Sequence, residues 1–265
     1  MGNFSEATAV EAVGPGAFRA VLDEQWSVGS KLHGGYLLAV LGRAAGQVAT
    51  HEHLTAISGS FPSAPEPGPA DIEVEVLRAG RGMTQLRARM SQKSLVRVEA
   101  LVTQGTLSDA DPWWSASTPV ELPDEQDCQP APANVPGSEM RVSLLDQVET
   151  RIDPKWLGFA VGKPTGQGRT ASWQRLTDGS DWDPLSLLVA LDPVPPVSFD
   201  LGVLGWVPTL QLSAYIRRLP AAGSIRVGMH ASDVTADRMD ETAYAWDSKG
   251  RLVAQAVQFA AVRIP

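Results

Sequence analysis

Gly34-Gly35-Tyr36-Leu37-Leu38-Ala39-Val40-Leu41 and Pro184-Leu185-Ser186-Leu187-Leu188-Val189-Ala190-Leu191, the second ending on Asp192, are the two stretches that decide the fold. Both are apolar on nearly every side, the mark of a buried helix rather than one lying on a surface. The first continues to about Val48, with Arg43 and Gln47 as its polar residues. Behind it come the strand-like segments Thr55–Phe61, Asp71–Leu77, Gln85–Met90 and Leu95–Leu107, broken by the loop Pro62–Pro69 and the turn Gly80-Arg81-Gly82. Asp71–Leu77 alternates strictly, Ile72, Val74 and Val76 against Glu73 and Glu75. The second stretch has Asp183 as an N-cap and Pro184 in its first turn, and Pro193, Pro195 and Pro196 stop it. Thr209–Leu219, Ser224–Ser232, Thr242–Trp246 and Leu252–Val262 follow, the last after the turn Asp247-Ser248-Lys249-Gly250. Phe18–Trp26 and Arg169–Leu176 read as strands ahead of the two helices.

Strands that arrive in runs, with short turns between them, indicate an antiparallel α+β fold rather than α/β. Done twice, the pattern predicts two tandem antiparallel sheets, each wrapped around its own central helix. Between them, Asp109–Pro136 is dominated by Pro, Asp, Glu and Ala and reads as a linker over the surface. The expected division is a first unit at 1–110, a linker at 111–145 and a second unit at 146–265. Thr55 and Thr209 each open the strand after a helix, and Leu95–Leu101 lines up with Leu252–Gln258.

A net charge of −8 over 265 residues argues against a partner recognised through a phosphate backbone. The single cysteine, Cys128, excludes an intrachain disulfide framework and fits a reducing compartment. It lies in a Pro-rich polar stretch, where it reads as incidental rather than nucleophilic. Met1–Val13 has no basic region followed by an apolar core, and no apolar run has the length of a membrane span. The expected setting is cytoplasmic. There is no metal-binding His-Glu spacing, phosphate loop, Gly-x-Ser-x-Gly elbow or Cys-x-x-Cys, and His33, His51, His53 and His230 form no ligand set, so no metal is expected.

Trp26, Gly29 and His33-Gly34-Gly35-Tyr36 with the Ala-rich helix behind them, then Gly205-Trp206-Val207-Pro208-Thr209, then Gly250-Arg251-Leu252-Val253-Ala254-Gln255 through Gln258, carry a resemblance. Together they resemble the acyl-CoA thioesterase II family, and within it an actinobacterial thioesterase-like branch. The likeness covers most of the chain outside the linker. It implies a double hot-dog, two fused copies of a sheet around a helix. It also implies hydrolysis of acyl-CoA to free acid and CoA, by a water held between an Asp, a Thr or Ser and a Gln of the second copy. Carried over, these fall on Asp192, Thr209 and Gln258. The stretch from Asp192 to Thr209 is shorter than the family's, which leaves Asp200 as a second candidate for the acid.

Those residue types suit the reaction. A carboxylate can take the water's proton, and a hydroxyl and an amide can hold it in line for attack. The oxyanion needs donors, which a helix N-terminus supplies, so Gly34 and Gly35, with His33 beside them, are the candidates for that role. Arg217, Arg218 and Arg226 are candidates for the CoA phosphates. Each residue also has a plainer reading: Asp192 as a helix end, Thr209 as a strand former, Gln258 as an outward side chain, Gly34 and Gly35 as packing, His33 as structural, the arginines as solubilising charge. In the first copy Arg43 or Ala44 stands for Asp192 and Leu101 for Gln258, with Thr55 alone retained, so one site per chain is expected. No cofactor is implied. The alternative is a non-catalytic protein of the same fold that binds acyl-CoA or an acyl chain. A hydratase or dehydratase would want an Asp-x-x-x-x-His pair, which is missing. A dimer of double hot-dogs is expected by analogy.

Overall fold

In the computed structural model, which describes residues 3–192 and 194–264, the N-terminal half comprises α1 (Phe4–Ala7), β1 (Val10–Gly14), β2 (Ala17–Leu22), the small hairpin β3 (Ser27–Val28) and β4 (Lys31–Leu32), then α2 (Gly34–Val48). The strands β5 (His53–Ser60), β6 (Gly68–Ala79), β7 (Thr84–Gln92) and β8 (Leu95–Gly105) complete it. The C-terminal half holds β9 (Gln129–Pro130), β10 (Val148–Ile152), β11 (Arg169–Leu176), α3 (Leu187–Ala190), β12 (Thr209–Ile216), β13 (Ile225–His230), β14 (Arg238–Trp246) and β15 (Leu252–Ala261). The architecture is α+β, with every described strand pair antiparallel.

The expected pair of separate sheets is corrected. Thirteen strands form one sheet in the order β1-β2-β6-β7-β8-β5-β12-β15-β14-β13-β11-β10-β9. β5 and β12 join the halves, in register from Gln211 opposite Ser60 to Tyr215 opposite Ala56. At the centre of that seam the Ser58 and Ser213 hydroxyls lie 2.7 Å apart. Pairing the two strands satisfies edges that each half would otherwise expose.

The second expected helix is corrected as well. Only Leu187–Ala190 is α-helical, with i→i+3 bonds on either side, Leu188 N–H to Leu185 O and Asp192 N–H to Val189 O. The Asp183 carboxylate does cap this turn, accepting from the Leu185 and Ser186 N–H groups at 2.9 and 2.6 Å. Of the prolines expected to stop it, Pro193 lies outside the described residues.

α2 has the expected bounds and is buried from Gly35 to Gly42 and at Ala44 and Ala45. The inward residues of β7, Leu86, Ala88 and Met90, belong to the same core. Behind α2, the Tyr36 ring stacks on Trp26 at 5.5 Å and its hydroxyl donates to Ala7 O at 2.7 Å. Burial pushes that phenol up to about 12.

α2 meets α3 and the turn before it at two glycines seven residues apart. A Cβ on Gly35 would run into the Leu188 carbonyl, and one on Gly42 would lie 2.8 Å from Leu185 Cδ2. At Gly35 hydrogen alone fits, because the obstacle is backbone; at Gly42 it is the end of the Leu185 side chain.

The connecting segment is not a passive surface strand of chain. Ser117–Asp127 crosses the outer face of the second half, where Trp246 Nε1 donates to Ser117 Oγ at 2.8 Å and Trp173 Nε1 to Pro123 O at 2.9 Å. It then turns inward. Gly29 N–H donates to Arg141 O at 2.7 Å, and a Cβ on Gly29 would meet Met140 Cγ at 2.9 Å.

Gly35→Ala is therefore expected to lower the free energy of unfolding by about 1–3 kcal/mol through overpacking. Gly46→Ala, also in α2, has nothing nearer to its Cβ than Gln104 Nε2 at 3.6 Å. That change is expected to be neutral or to stabilise by about 0.5–1 kcal/mol. Urea denaturation of both variants measures the contrast.

Candidate active site

The N-terminus of α2 begins the site. His33 is its N-cap, with extended backbone, and its Nδ1 accepts from Tyr36 N–H at 3.3 Å. With Nδ1 accepting, the ring's proton is on Nε2. Nε2 lies 2.5 Å from the Asp192 carbonyl oxygen, to which it donates, and 3.3 Å from Asp192 Oδ2. The same Oδ2 accepts the Gly35 N–H at 2.9 Å. A carboxylate from the second half thus sits on the positive end of the first half's helix, where an anion is favoured.

Gly34 is required by this contact. A Cβ there would lie 2.8 Å from Asp192 Oδ2 and 3.4 Å from Phe61 Cζ. Of the N–H groups that open α2, Gly35 is engaged by Asp192 and Tyr36 by His33, while Gly34 has no acceptor among the described residues. Such a donor is what a helix start leaves over.

From the other side comes a chain of polar side chains on three adjacent strands or their approaches. Thr209 Oγ1 donates to Gln258 Oε1 at 3.2 Å, and Gln258 Nε2 donates to Glu241 Oε2 at 2.7 Å. Glu241 Oε1 accepts from Val197 N–H at 2.7 Å. Gln258 and Glu241 are cross-strand partners on β15 and β14. Glu241 is buried, and burial first, then the nearby Asp192 charge, push its carboxyl up to about 8 against the opposing Val197 and Gln258 hydrogen bonds.

His33, Gly34, Asp192, Thr209, Glu241 and Gln258 line one cavity that opens to solvent. Its other walls are apolar. Val135, Met140, Val142 and Leu145 come from the connecting segment, and Phe159, Phe199 and Trp206 from the second half. A pocket with an apolar wall and a few convergent polar groups suits a small ligand with an apolar part.

Asp192, Thr209 and Gln258 are thus brought to one cavity, with Thr209 and Gln258 in direct contact. Asp200 goes elsewhere. Its oxygens accept from Thr165 Oγ1 and from the N–H groups of Thr165, Gln167 and Arg169, and it ties down that loop. The three arginines do not line the cavity. Arg217 and Arg218 follow β12 at the end opposite Thr209, roughly 25 Å away at ~3.4 Å per residue. Arg217 donates to Gln255 Oε1, Arg218 to the Leu252 and Ala110 carbonyls, and Arg226 lies over the Trp173 ring at 5.3 Å.

Glu241 falls outside the strand that the sequence starts at Thr242, whereas β14 starts at Arg238. The signal was present. Met239, Glu241, Ala243 and Ala245 alternate inward, and a Glu at an inward position is a buried polar group that needs a partner. The connecting segment's part in the wall left no such signal.

The repeat can be re-registered on the seam. Placing Ser58 on Ser213 makes the bulge between Leu54 and Ala56 coincide with that between Thr209 and Gln211. Leu54 then stands for Thr209. Val102, opposite Ile57, stands for Gln258, opposite Leu212, and Leu86, opposite Val102, stands for Glu241, opposite Gln258. The expected match of Leu101 to Gln258 is corrected, since Leu101 is 58% exposed on the outer face and Gln258 points inward. A one-residue slip on a strand exchanges the faces. Thr55 falls on Leu210 for the same reason and does not duplicate Thr209; its hydroxyl donates to Thr103 O.

Comparison with known proteins gives this cavity a context. Residues 22–105 match the model of the acyl-CoA thioesterase N-terminal domain, and residues 123–262 that of the acyl-CoA thioesterase C-terminal domain. An uncharacterised protein of Mycobacterium tuberculosis (strain ATCC 25618 / H37Rv) is 30% identical over 92% of this chain and 90% of its own length. A protein of Thermobifida fusca YX assigned as a thioesterase II superposes with a TM-score of 0.90 at 29% identity, covering 100% of this chain and 98% of the other. A protein of unknown function from Alicyclobacillus acidocaldarius, described as having a hot dog fold, gives 0.85 at 18% identity over 99% and 98% of the two chains, a likeness of fold. With both family models matched in order along one chain, the protein belongs to the acyl-CoA thioesterase family.

Proposed function

We propose that the protein hydrolyses acyl-CoA to free acid and CoA at one site per chain, in a double hot-dog whose second half, 146–265, carries the water-holding residues. The first half, 1–110, supplies the helix start, and the linker, 111–145, supplies part of the acyl wall. The observation that carries this reading is the convergence on one cavity of Asp192, seated on the N-terminus of α2, and the Thr209–Gln258 pair. An apolar wall beside them suits the acyl chain. Cys128, the only thiol, is unpaired and buried, in keeping with a cytoplasmic protein.

The chemistry follows from what each atom has left to give. Asp192 Oδ2 is held by Gly35 N–H, and Oδ1 has no partner among the described residues. Oδ1 takes a proton from the water as the water oxygen attacks the thioester carbon. Thr209 and Gln258 restrict the water to an attacking orientation, and that restriction lowers the barrier by removing rotational freedom beforehand. The carbonyl oxygen becomes an oxyanion, for which the free Gly34 N–H is the candidate donor. Collapse breaks the carbon–sulfur bond, and the proton held on Asp192 passes to the departing thiolate.

The test is CoA release across a panel of acyl chain lengths. Asp192→Asn keeps an oxygen for Gly35 N–H but cannot take the proton. It is expected to lose about 10²–10⁴-fold in kcat with little change in melting temperature. Undiminished activity would remove Asp192 from the mechanism. Acyl-CoA binding without release by the wild type would instead favour a binding protein. Gly34→Ala puts a methyl against Asp192 Oδ2 and is expected to cost about 10²-fold in kcat through misplacement of the base. Steady-state kinetics of this variant check that expectation.

A further inference from the structure

Glu241 is a buried carboxyl that the hydrolytic steps above do not use. Both of its oxygens are committed, Oε1 to Val197 N–H and Oε2 to Gln258 Nε2, each at 2.7 Å. It lines the cavity, and its oxygens face Val197 and Gln258 rather than Thr209 or Asp192. Its contact with Gln258 has a chemical consequence. An amide side chain is a donor at one end and an acceptor at the other, and what Glu241 offers determines which end faces away from it.

We infer that Glu241 is a positioning residue of this site: by accepting from Gln258 Nε2 it turns the Gln258 carbonyl oxygen toward Thr209 and the cavity. This rests on the hydrolase reading for its effect on rate, and on geometry alone for the orientation. With Glu241 ionised, Gln258 Oε1 and Asp192 Oδ1 both present acceptors. A water between them donates both of its hydrogens and keeps its lone pairs for the thioester carbon. With Glu241 protonated, its O–H donates to Gln258 Oε1, the amide turns over, and the –NH₂ faces the cavity. That donor ties up one of the water's two lone pairs and takes away the acceptor for one of its hydrogens, so the water is no longer held in line for attack. The ionised state is therefore the productive one.

The surroundings make the two states accessible near neutral pH. Burial raises the carboxyl to about 8, with the charges of Asp192 and, more weakly, Asp240 adding to it. The Val197 and Gln258 donors act in the opposite direction. His33 lines the same cavity, and no cation is bonded to Glu241 among the described residues. The linkage has a definite sign. The folded carboxyl binds its proton more tightly than the unfolded one, so its contribution to stability is full below the unfolded value and is lost as pH rises toward about 8.

Glu241→Gln tests the inference, since its –NH₂ imitates the protonated acid by donating to Gln258 Oε1 while its oxygen still accepts from Val197. The wild type is expected to gain kcat with a midpoint above the ordinary carboxylate range. Glu241→Gln is expected to lose that limb and to run tenfold or more below the wild type at pH 9. A retained upper limb in the variant would overturn the assignment. Two further readouts need no turnover. The ¹⁵N–¹H signal of the Gln258 side-chain amide, assigned by its loss in Gln258→Met, is expected to titrate with the same midpoint in the wild type, and a signal constant from pH 5 to 9 would overturn the orientation claim even if the variant failed to fold. The fall in wild-type stability over the same range is expected to flatten in Glu241→Gln. Absence of CoA release at every pH would instead count against the hydrolase reading, with the amide titration still deciding the placement of Glu241.

Discussion

The hydrogen bond from Gly35 N–H to the Asp192 carboxylate is the contact on which the site depends. It ties the start of one half's helix to the end of the other half's helical turn. It exists only because Gly34 and Gly35 have no side chains: the first leaves room for the carboxylate, the second lets the Leu188 backbone come alongside. His33 completes the clamp by donating to the Asp192 carbonyl. The sheet serves the same end. By running unbroken through the Ser58–Ser213 seam it fixes the two halves against each other, so that a residue from one can be placed within ångströms of the other.

The pseudo-symmetry about that seam shows what the duplication became. Where the second half has Thr209, Glu241 and Gln258, the first has Leu54, Leu86 and Val102, all buried in the core. The difference is physical. The first half's long helix α2 packs over its strands, and these three positions are filled by apolar side chains of the core. In the second half α3 is only Leu187–Ala190, and the space beyond it is the cavity. The connecting segment closes that space with Val135, Met140, Val142 and Leu145. A shortened helix and a refolded connector together turn a core position into a binding position.

Much of this was legible in the chain, and the exceptions have causes. α2 was readable to the residue because a long apolar run follows a glycine pair and ends in polar residues. β6 was readable because Ile72, Val74 and Val76 alternate with charge. β1 and β10 were missed: Val10–Gly14 lies almost wholly exposed at an edge and shows no burial period, and Val148–Ile152 follows irregular chain. Pro184–Leu191 has the composition of a helix, but the prolines around it leave room for little more than one turn. The union of the sheets rests on a pairing between residues more than a hundred positions apart, which no local pattern announces. Asp192, Thr209 and Gln258 were picked out by resemblance, and the structure brings them to one cavity. Glu241 was hidden by a strand boundary placed a few residues late.

The central claim is that a water held by Asp192, Thr209 and Gln258 attacks the thioester directly, with no acyl group passing to the protein. A single turnover in H₂¹⁸O, with enzyme in excess over acyl-CoA and the products read by mass spectrometry, tests it most directly. Direct attack predicts one ¹⁸O in the free acid of the first turnover and none in the protein. An unlabelled acid, with ¹⁸O appearing in the peptide that contains Asp192, would contradict the account, because the carboxylate would then be a nucleophile rather than a base.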